Sequence, residues 1–152
     1  MSVEIRELEP MTAACIRHIS VYRKIGPVFG QLAEWAGRTG IAGSMLANFF
    51  DDPHKVPEDQ LRSDAGVVVP GPVEVEPPVE IRQIEGGTYV VWTHVGHYEG
   101  LADAWFQFFV KHLPEAGITP RVGPCFEVYL DDPETTPWER VRTELYTAAN
   151  AK

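Results

Sequence analysis

Two segments in the second half of the sequence place a glutamate and a tyrosine two positions apart. Glu127 precedes Tyr129 in one segment, and Glu144 precedes Tyr146 in the other. Residues two apart in a β-strand lie on the same face, so each segment presents a carboxylate beside a phenol ring. Such a grouping attracts a hydrophobic cation through Coulomb energy and cation–π contact. The pattern favours a surface that binds small organic molecules.

The strand that carries Glu127 has one entirely apolar face. Phe126, Val128 and Leu130 form that face, and they are predicted to pack beneath helices. Glu127 and Tyr129 would then lie on the opposite, open face of the sheet. The same argument applied to the strand at residues 88–95 places Tyr89 inward and Trp92 on the open face.

The sequence repeats itself in order. Val3–Arg6 returns 76 residues later as Val79–Arg82, and Asp51–Pro53 returns 80 residues later as Asp131–Pro133. Between these anchors His18 matches His94, Tyr22 matches Tyr98, and Phe29 matches Trp105. This series predicts an internal duplication within one domain, with repeat 1 at residues 3–69, a linker at 70–78 and repeat 2 at 79–148.

Each repeat has the pattern of a ββαββ unit. Gly86-Gly87 is typical of a hairpin turn between the first two strands, and Gly40 and Gly117 are typical of helix C-termini. The predicted strands cover residues 3–9, 12–19, 46–50, 65–69, 79–85, 88–95, 125–130 and 141–148. The predicted fold is α+β: an antiparallel sheet, both helices on one face, and a ligand groove between the repeats.

The two repeats differ where a site would lie. Glutamates and tyrosines alone also fit the solvated face of a half-buried sheet. The first repeat, however, has Ala47 and Phe49 at the positions of Glu127 and Tyr129. Apolar walls with a few polar groups are typical of small-molecule sites. The candidate ligand-binding residues are therefore Glu127, Tyr129, Glu144, Tyr146, Trp92, Phe49, Ala47, Ile16 and Asp64.

Composition argues against several other functions. The net charge is −9 and no stretch concentrates Lys and Arg, so direct binding of nucleic acid is not expected. Five His and two Cys show no metal-ligand spacing, and no nucleotide-binding motif is present, so we expect neither a metal nor a cofactor. The N-terminus has no export signal and no apolar run is long enough to span a membrane. These features predict a cytoplasmic protein without membrane contact.

Several segments resemble the GyrI-like (SbmC-like) family. They are Gly86–Val91, Gly96–Glu99 followed by Trp105, Gly123–Leu130 and Arg142–Tyr146. The resemblance implies tandem SHS2-like modules with a central groove that, in multidrug-sensing regulators, binds cationic amphipathic compounds. It implies that the groove glutamate of the family is Glu127, with Glu144 as the second candidate.

Three functional hypotheses follow from that resemblance. The sequence contains no helix-turn-helix segment of the kind found in those regulators, so the first is a stand-alone protein that binds or sequesters hydrophobic cations. The second is a hydrolase of cyclopropane-bearing genotoxins, in which Glu127 activates water and Tyr129 or Tyr146 stabilises the developing oxyanion. The third is a modulator of DNA gyrase that acts by protein–protein contact.

Overall fold

A computed structural model describes residues 3–71 and 73–150, and the chain divides into two compact units. Unit 1 combines the residues up to Glu9 with those from Gly86 onward, and unit 2 is Pro10–Glu85. The strands are β1 Glu4–Leu8, β2 Met11–Ile19, β3 Met45–Phe49, β4 Arg62–Val69, β5 Val79–Ile84, β6 Gly87–Val95, β7 Pro120–Tyr129 and β8 Arg142–Ala149. The helices are α1 Gly26–Thr39, α2 Leu101–Gln107 and α3 Leu113–Glu115. The predicted α+β class is confirmed.

The strands pair across the two halves of the sequence. In unit 1 the order is β1-β6-β8-β7, and in unit 2 it is β5-β2-β4-β3, with antiparallel neighbours throughout. β1 therefore pairs with β6 rather than β2, and β5 pairs with β2 rather than β6, so the predicted local hairpins are wrong. Glu9-Pro10 joins β1 to β2, and proline cannot adopt the positive φ that a tight hairpin turn requires. Internal duplication stays a prediction.

One helical layer covers one face of the sheet in each unit. In unit 2, Leu32 and Ala36 of α1 are buried, and Leu32 packs on Ile16 and Val67. Their spacing of four residues places them on one side of the helix. Gly40 ends α1 with φ 73°, and the Ile41 N–H bonds to the Ala36 carbonyl at 2.9 Å.

The helical layer of unit 1 is interrupted by a π-helical turn. Phe108–His112 forms that turn between α2 and α3, and Gly117 ends the layer with φ 70°. Pro114 lies two residues after this turn and has no N–H to continue the α-helical ladder. The core beneath this layer includes Val90, Trp92, Ala104, Phe108, Leu113, Ile118, Leu145 and Ala149.

No helix within the described residues is long and apolar enough to cross a membrane.

Candidate ligand-binding site

Glu127 lies on the helix-covered face of the unit 1 sheet. The Trp105 indole N–H of α2 donates a hydrogen bond to Glu127 Oε2 at 2.7 Å. Phe126 lies on the opposite face, where its ring stacks on Tyr146 with centroids 4.6 Å apart. The predicted placement of Phe126 under the helices and Glu127 on an open face is therefore wrong.

The error arises because both faces of this sheet are buried. Phe126 is fully buried, and Glu127 is only 5% exposed. Sequence alternation identifies the inner face only where the other face contacts water. Trp92 shares the face of Glu127, but that face packs against Phe108, whereas Tyr89 lies on the other side against Phe126.

Glu127 is held by two neutral donors. Besides Trp105, the Tyr129 hydroxyl donates to Glu127 Oε1 at 2.7 Å. Burial raises the pKa of Glu127, and these two hydrogen bonds lower it by less. Burial and the neighbouring carboxylate raise the pKa of Tyr129 well above its ordinary value. Among residues 3–71 and 73–150, no Arg or Lys pairs with Glu127.

Aromatic rings extend from Glu127 in two directions. The Tyr98 ring lies 5.5 Å from that of Tyr129, and Trp138 lies 5.2 Å from Tyr98, both between centroids. On the other side, Phe109 stacks on Trp105 at 5.8 Å. We call Glu127 with Trp105, Tyr129 and Tyr98 the Glu127 site.

Glu144 and Tyr146 belong to a separate network on the opposite face. Arg6 Nη1 lies 2.8 Å from Glu144 Oε2 and donates to the Tyr146 hydroxyl at 2.7 Å. That hydroxyl donates to Glu144 Oε1 at 2.8 Å. Burial and the Glu144 charge raise the pKa of Tyr146 to about 12. Glu144 therefore already has an internal cation, and Tyr146 does not lie beside Glu127.

Asp64 in unit 2 is paired even more completely. Its carboxylate is fully buried, with Arg17 Nε at 2.7 Å and Arg82 Nε at 2.8 Å. The predicted ligand-binding residues Ile16 and Ala47 are buried on the other face of this sheet, toward α1. Phe49 lies on that same face, with its ring 4.8 Å from Tyr22.

Unit 2 also contains a cavity of about 830 Å³ between α1 and the segment that leads into β5. Ile16 and Trp35 contribute to its walls, together with Glu34, Glu74 and Glu76. These three carboxylates are exposed to solvent, where the attraction for a cation is screened. We therefore place the candidate site at the buried carboxylate of Glu127 and not at this cavity.

The contribution of α2 to the site is not predicted from the sequence. The spacing of Leu101, Trp105 and Phe108 puts Trp105 on the inward row of the helix, but Trp105 is not among the predicted site residues. A buried indole N–H needs an acceptor, so a tryptophan on that row indicates a polar partner beneath the helix. Tyr98 and Trp138 carry no comparable signal, since their approach depends on two separate 3₁₀ turns, Tyr98–Gly100 and Trp138–Arg140.

Two solved structures share this fold. A protein named SAV2435, solved with bound tetraphenylphosphonium, matches with a TM-score of 0.62 and 14% identity, over 99% of this chain and 95% of that chain. A hydrolase from Listeria innocua matches with a TM-score of 0.64 and 13% identity, over 98% and 92% respectively. At these identities the likeness concerns the fold.

Sequence comparison gives the family. The DNA gyrase inhibitor of Escherichia coli strain K12 is 30% identical over 158 aligned positions, covering 100% of this chain and 99% of that protein. Residues 1–149 match the GyrI-like family, described as a GyrI-like small molecule binding domain. The chain therefore belongs to the GyrI-like family of small-molecule-binding domains.

Proposed function

We propose that unit 1 binds hydrophobic organic cations at the Glu127 site. The observation that carries this proposal is a difference among the three most buried carboxylates. Asp64 and Glu144 each contact arginine within 2.8 Å, whereas Glu127 contacts only neutral hydrogen-bond donors. A buried carboxylate without a cation is unfavourable when ionised, so a positively charged ligand supplies what the protein does not.

The surroundings of Glu127 favour an aromatic or apolar cation over a small hydrated one. Trp105 and Tyr129 direct an N–H and an O–H at the carboxylate, and the Tyr98 ring lies against that of Tyr129, so a cation that enters here meets aromatic surface. Because Glu127 is 5% exposed, a ligand that contacts it must displace a covering side chain. In this proposal one of the two rings that cover the carboxylate moves aside, and the cation takes its place as the partner of Glu127. The tetraphenylphosphonium bound by SAV2435 is a hydrophobic cation and supports this ligand class.

Binding of tetraphenylphosphonium is expected to weaken as the pH falls. The ligand has a permanent charge, so the titration belongs to the protein. Burial raises the pKa of Glu127, and the cation prefers the ionised form, so affinity rises with pH through that pKa and then becomes constant. Isothermal titration calorimetry between about pH 5 and pH 8 would measure this, and buffers of different ionisation enthalpy would show proton release. An affinity that changes equally with pH in Glu127→Gln would contradict the assignment.

A second candidate function is hydrolysis, favoured by the raised pKa of Glu127. A carboxylate whose pKa is closer to neutrality is a stronger general base, and a Listeria innocua protein of this fold is described as a hydrolase. Glu127 would accept a proton from water as the water oxygen bonds to a ring carbon and the strained C–C bond of the cyclopropane breaks. The Tyr129 hydroxyl, which donates to Glu127 Oε1 in the free protein, would turn to donate to the negative charge left on the opened chain. Tyr146 lies on the opposite face and has no part in this proposal.

Hydrolysis predicts turnover of an electrophilic cyclopropane compound. Ring-opened product should exceed one equivalent of protein, and Glu127→Gln should lower kcat about 10²–10⁴-fold, the usual contribution of a general base. A mass-spectrometric time course under substrate excess measures both. Substrate that binds but is recovered intact would exclude hydrolysis and would be consistent with binding as the function.

Contact with DNA gyrase stays a prediction for this chain.

A further inference from the structure

An exposed tryptophan lies at the outer end of the aromatic chain that begins at Glu127. Trp138 is 38% exposed, in the 3₁₀ turn that precedes β8. Its ring meets Tyr98 edge-on, with centroids 5.2 Å apart and planes at 82°. Tyr98 in turn contacts Tyr129, the donor to Glu127. Two ring contacts therefore connect the protein surface to the buried carboxylate.

The indole of Trp138 is held in place from behind. The His97 ring packs on it with centroids 4.0 Å apart and planes at 34°. The His97 Nδ1 accepts a hydrogen bond from the Glu99 N–H, which fixes the imidazole in turn. A side chain fixed in this way loses little conformational freedom when a flat molecule stacks on its exposed part.

The potential along this chain of rings is negative. Burial raises the pKa of Tyr98, and the charges of Asp132, Glu127 and Asp131 raise it further. The same charges that disfavour a phenolate attract a cation to the Tyr98 and Trp138 rings. Asp131 is partly neutralised by Arg142, whose Nε lies 2.9 Å from its carboxylate.

The corresponding positions of unit 2 lack these features. Eighty residues earlier in the sequence, Glu58 stands at the position of Trp138, Phe49 at that of Tyr129 and Ala47 at that of Glu127. The rings of Tyr22 and Phe49, at the positions of Tyr98 and Tyr129, do contact each other. The carboxylate and the outer indole thus occur together in unit 1, and unit 2 has a similar residue at neither of the two positions.

We propose that Trp138 is a specificity-determining residue that extends the Glu127 site to the surface, so that the site selects planar, extended aromatic cations over compact ones. This inference rests on the proposed function, since Glu127 holds the charge in both cases. An extended cation stacks on Trp138 and Tyr98 while its charge lies toward Glu127. The phenyl rings of tetraphenylphosphonium are splayed around the phosphonium centre, so none of them extends over both Tyr98 and Trp138 while the charge lies at Glu127.

The test compares ethidium, a planar aromatic cation, with tetraphenylphosphonium by calorimetric titration. Trp138→Ala is expected to weaken ethidium binding about 3- to 10-fold, the equivalent of one lost aromatic contact, and to leave tetraphenylphosphonium within about twofold. Trp138→Phe should restore most of the ethidium affinity. Phe106→Ala removes another exposed aromatic side chain of unit 1 and should change the affinity for neither ligand.

The outcomes separate this inference from the proposed function. If Glu127→Gln weakens both ligands while Trp138→Ala affects both equally or neither, the binding function stands and the role of Trp138 is wrong. If Glu127→Gln leaves both affinities unchanged, the proposed function itself is wrong. Failure of the wild-type protein to bind ethidium, with tetraphenylphosphonium bound, would also overturn the selectivity for planar cations.

Discussion

Glu127→Gln is expected to weaken tetraphenylphosphonium binding by about 1–3 kcal/mol, the usual size of a charge-assisted contact in a partly desolvated site. The substitution keeps the shape of the side chain: the amide oxygen can still accept from Trp105, and the amide NH2 can donate to the Tyr129 hydroxyl oxygen in place of accepting from it. It removes the charge that the ligand requires. Titration calorimetry at neutral pH measures the change directly.

The same substitution is expected to leave the fold as stable as before, or more stable, at neutral pH. The folded-state pKa of Glu127 is raised above its unfolded value. The stability that the protonated form contributes is therefore complete below the unfolded pKa and is lost as the pH rises through the folded pKa. Glutamine does not ionise, so the stability difference between Glu127→Gln and wild type should grow in favour of the variant over that window. Chemical denaturation at several pH values would measure it.

Glu115→Gln provides a matched control, because it makes the same charge change at an exposed position of α3 in unit 1. It should alter neither affinity nor the pH dependence of stability. If Glu115→Gln weakened tetraphenylphosphonium as much as Glu127→Gln, net charge rather than the buried carboxylate would explain the binding. If Glu127→Gln destabilised the protein at neutral pH, the carboxylate would be structural.

The sequence was sufficient to predict the elements but not how they pair. Helix ends at Gly40 and Gly117 could be predicted because only a residue free to adopt positive φ ends a helix in this way. The exchange of β1 and β5 between the halves of the sequence could not: Pro10 argues against a hairpin after β1, but Gly86-Gly87 after β5 is typical of one, and neither names the strand that pairs instead. The residues of a turn do not specify which strand, distant in sequence, pairs with the strand before that turn.

The candidate site was predicted in part. Glu127 and Tyr129 lie side by side and are joined by a hydrogen bond, because residues two apart in a strand share a face whichever face is buried. Glu144 lies on the opposite face of the sheet, where it pairs with Arg6. Alternation assigns residues to two sets without saying which set a helix covers. Within the part of the chain that the structure describes, arginines contact Glu144 and Asp64 but not Glu127. This difference depends on contacts between residues distant in sequence, so the sequence alone does not predict it.

Removing both arginines from Asp64 is expected to destabilise unit 2 strongly. Arg17→Met with Arg82→Met leaves a fully buried carboxylate without a cation, as Glu127 is now, but without the Trp and Tyr donors that Glu127 has. Breaking a buried ion pair from one side typically costs about 3–5 kcal/mol. Chemical denaturation should show this loss in the double variant.

A third substitution tests whether the unpaired charge is the cause. Asp64→Asn added to the double variant should recover a large part of the lost stability, because the buried charge is then gone. Arg62→Met is the control: it breaks the exposed ion pair with Asp51 and should have a much smaller effect. A double variant no less stable than Arg62→Met would show that Asp64 does not need its cations. The lack of a cation at Glu127 would then no longer indicate a binding function.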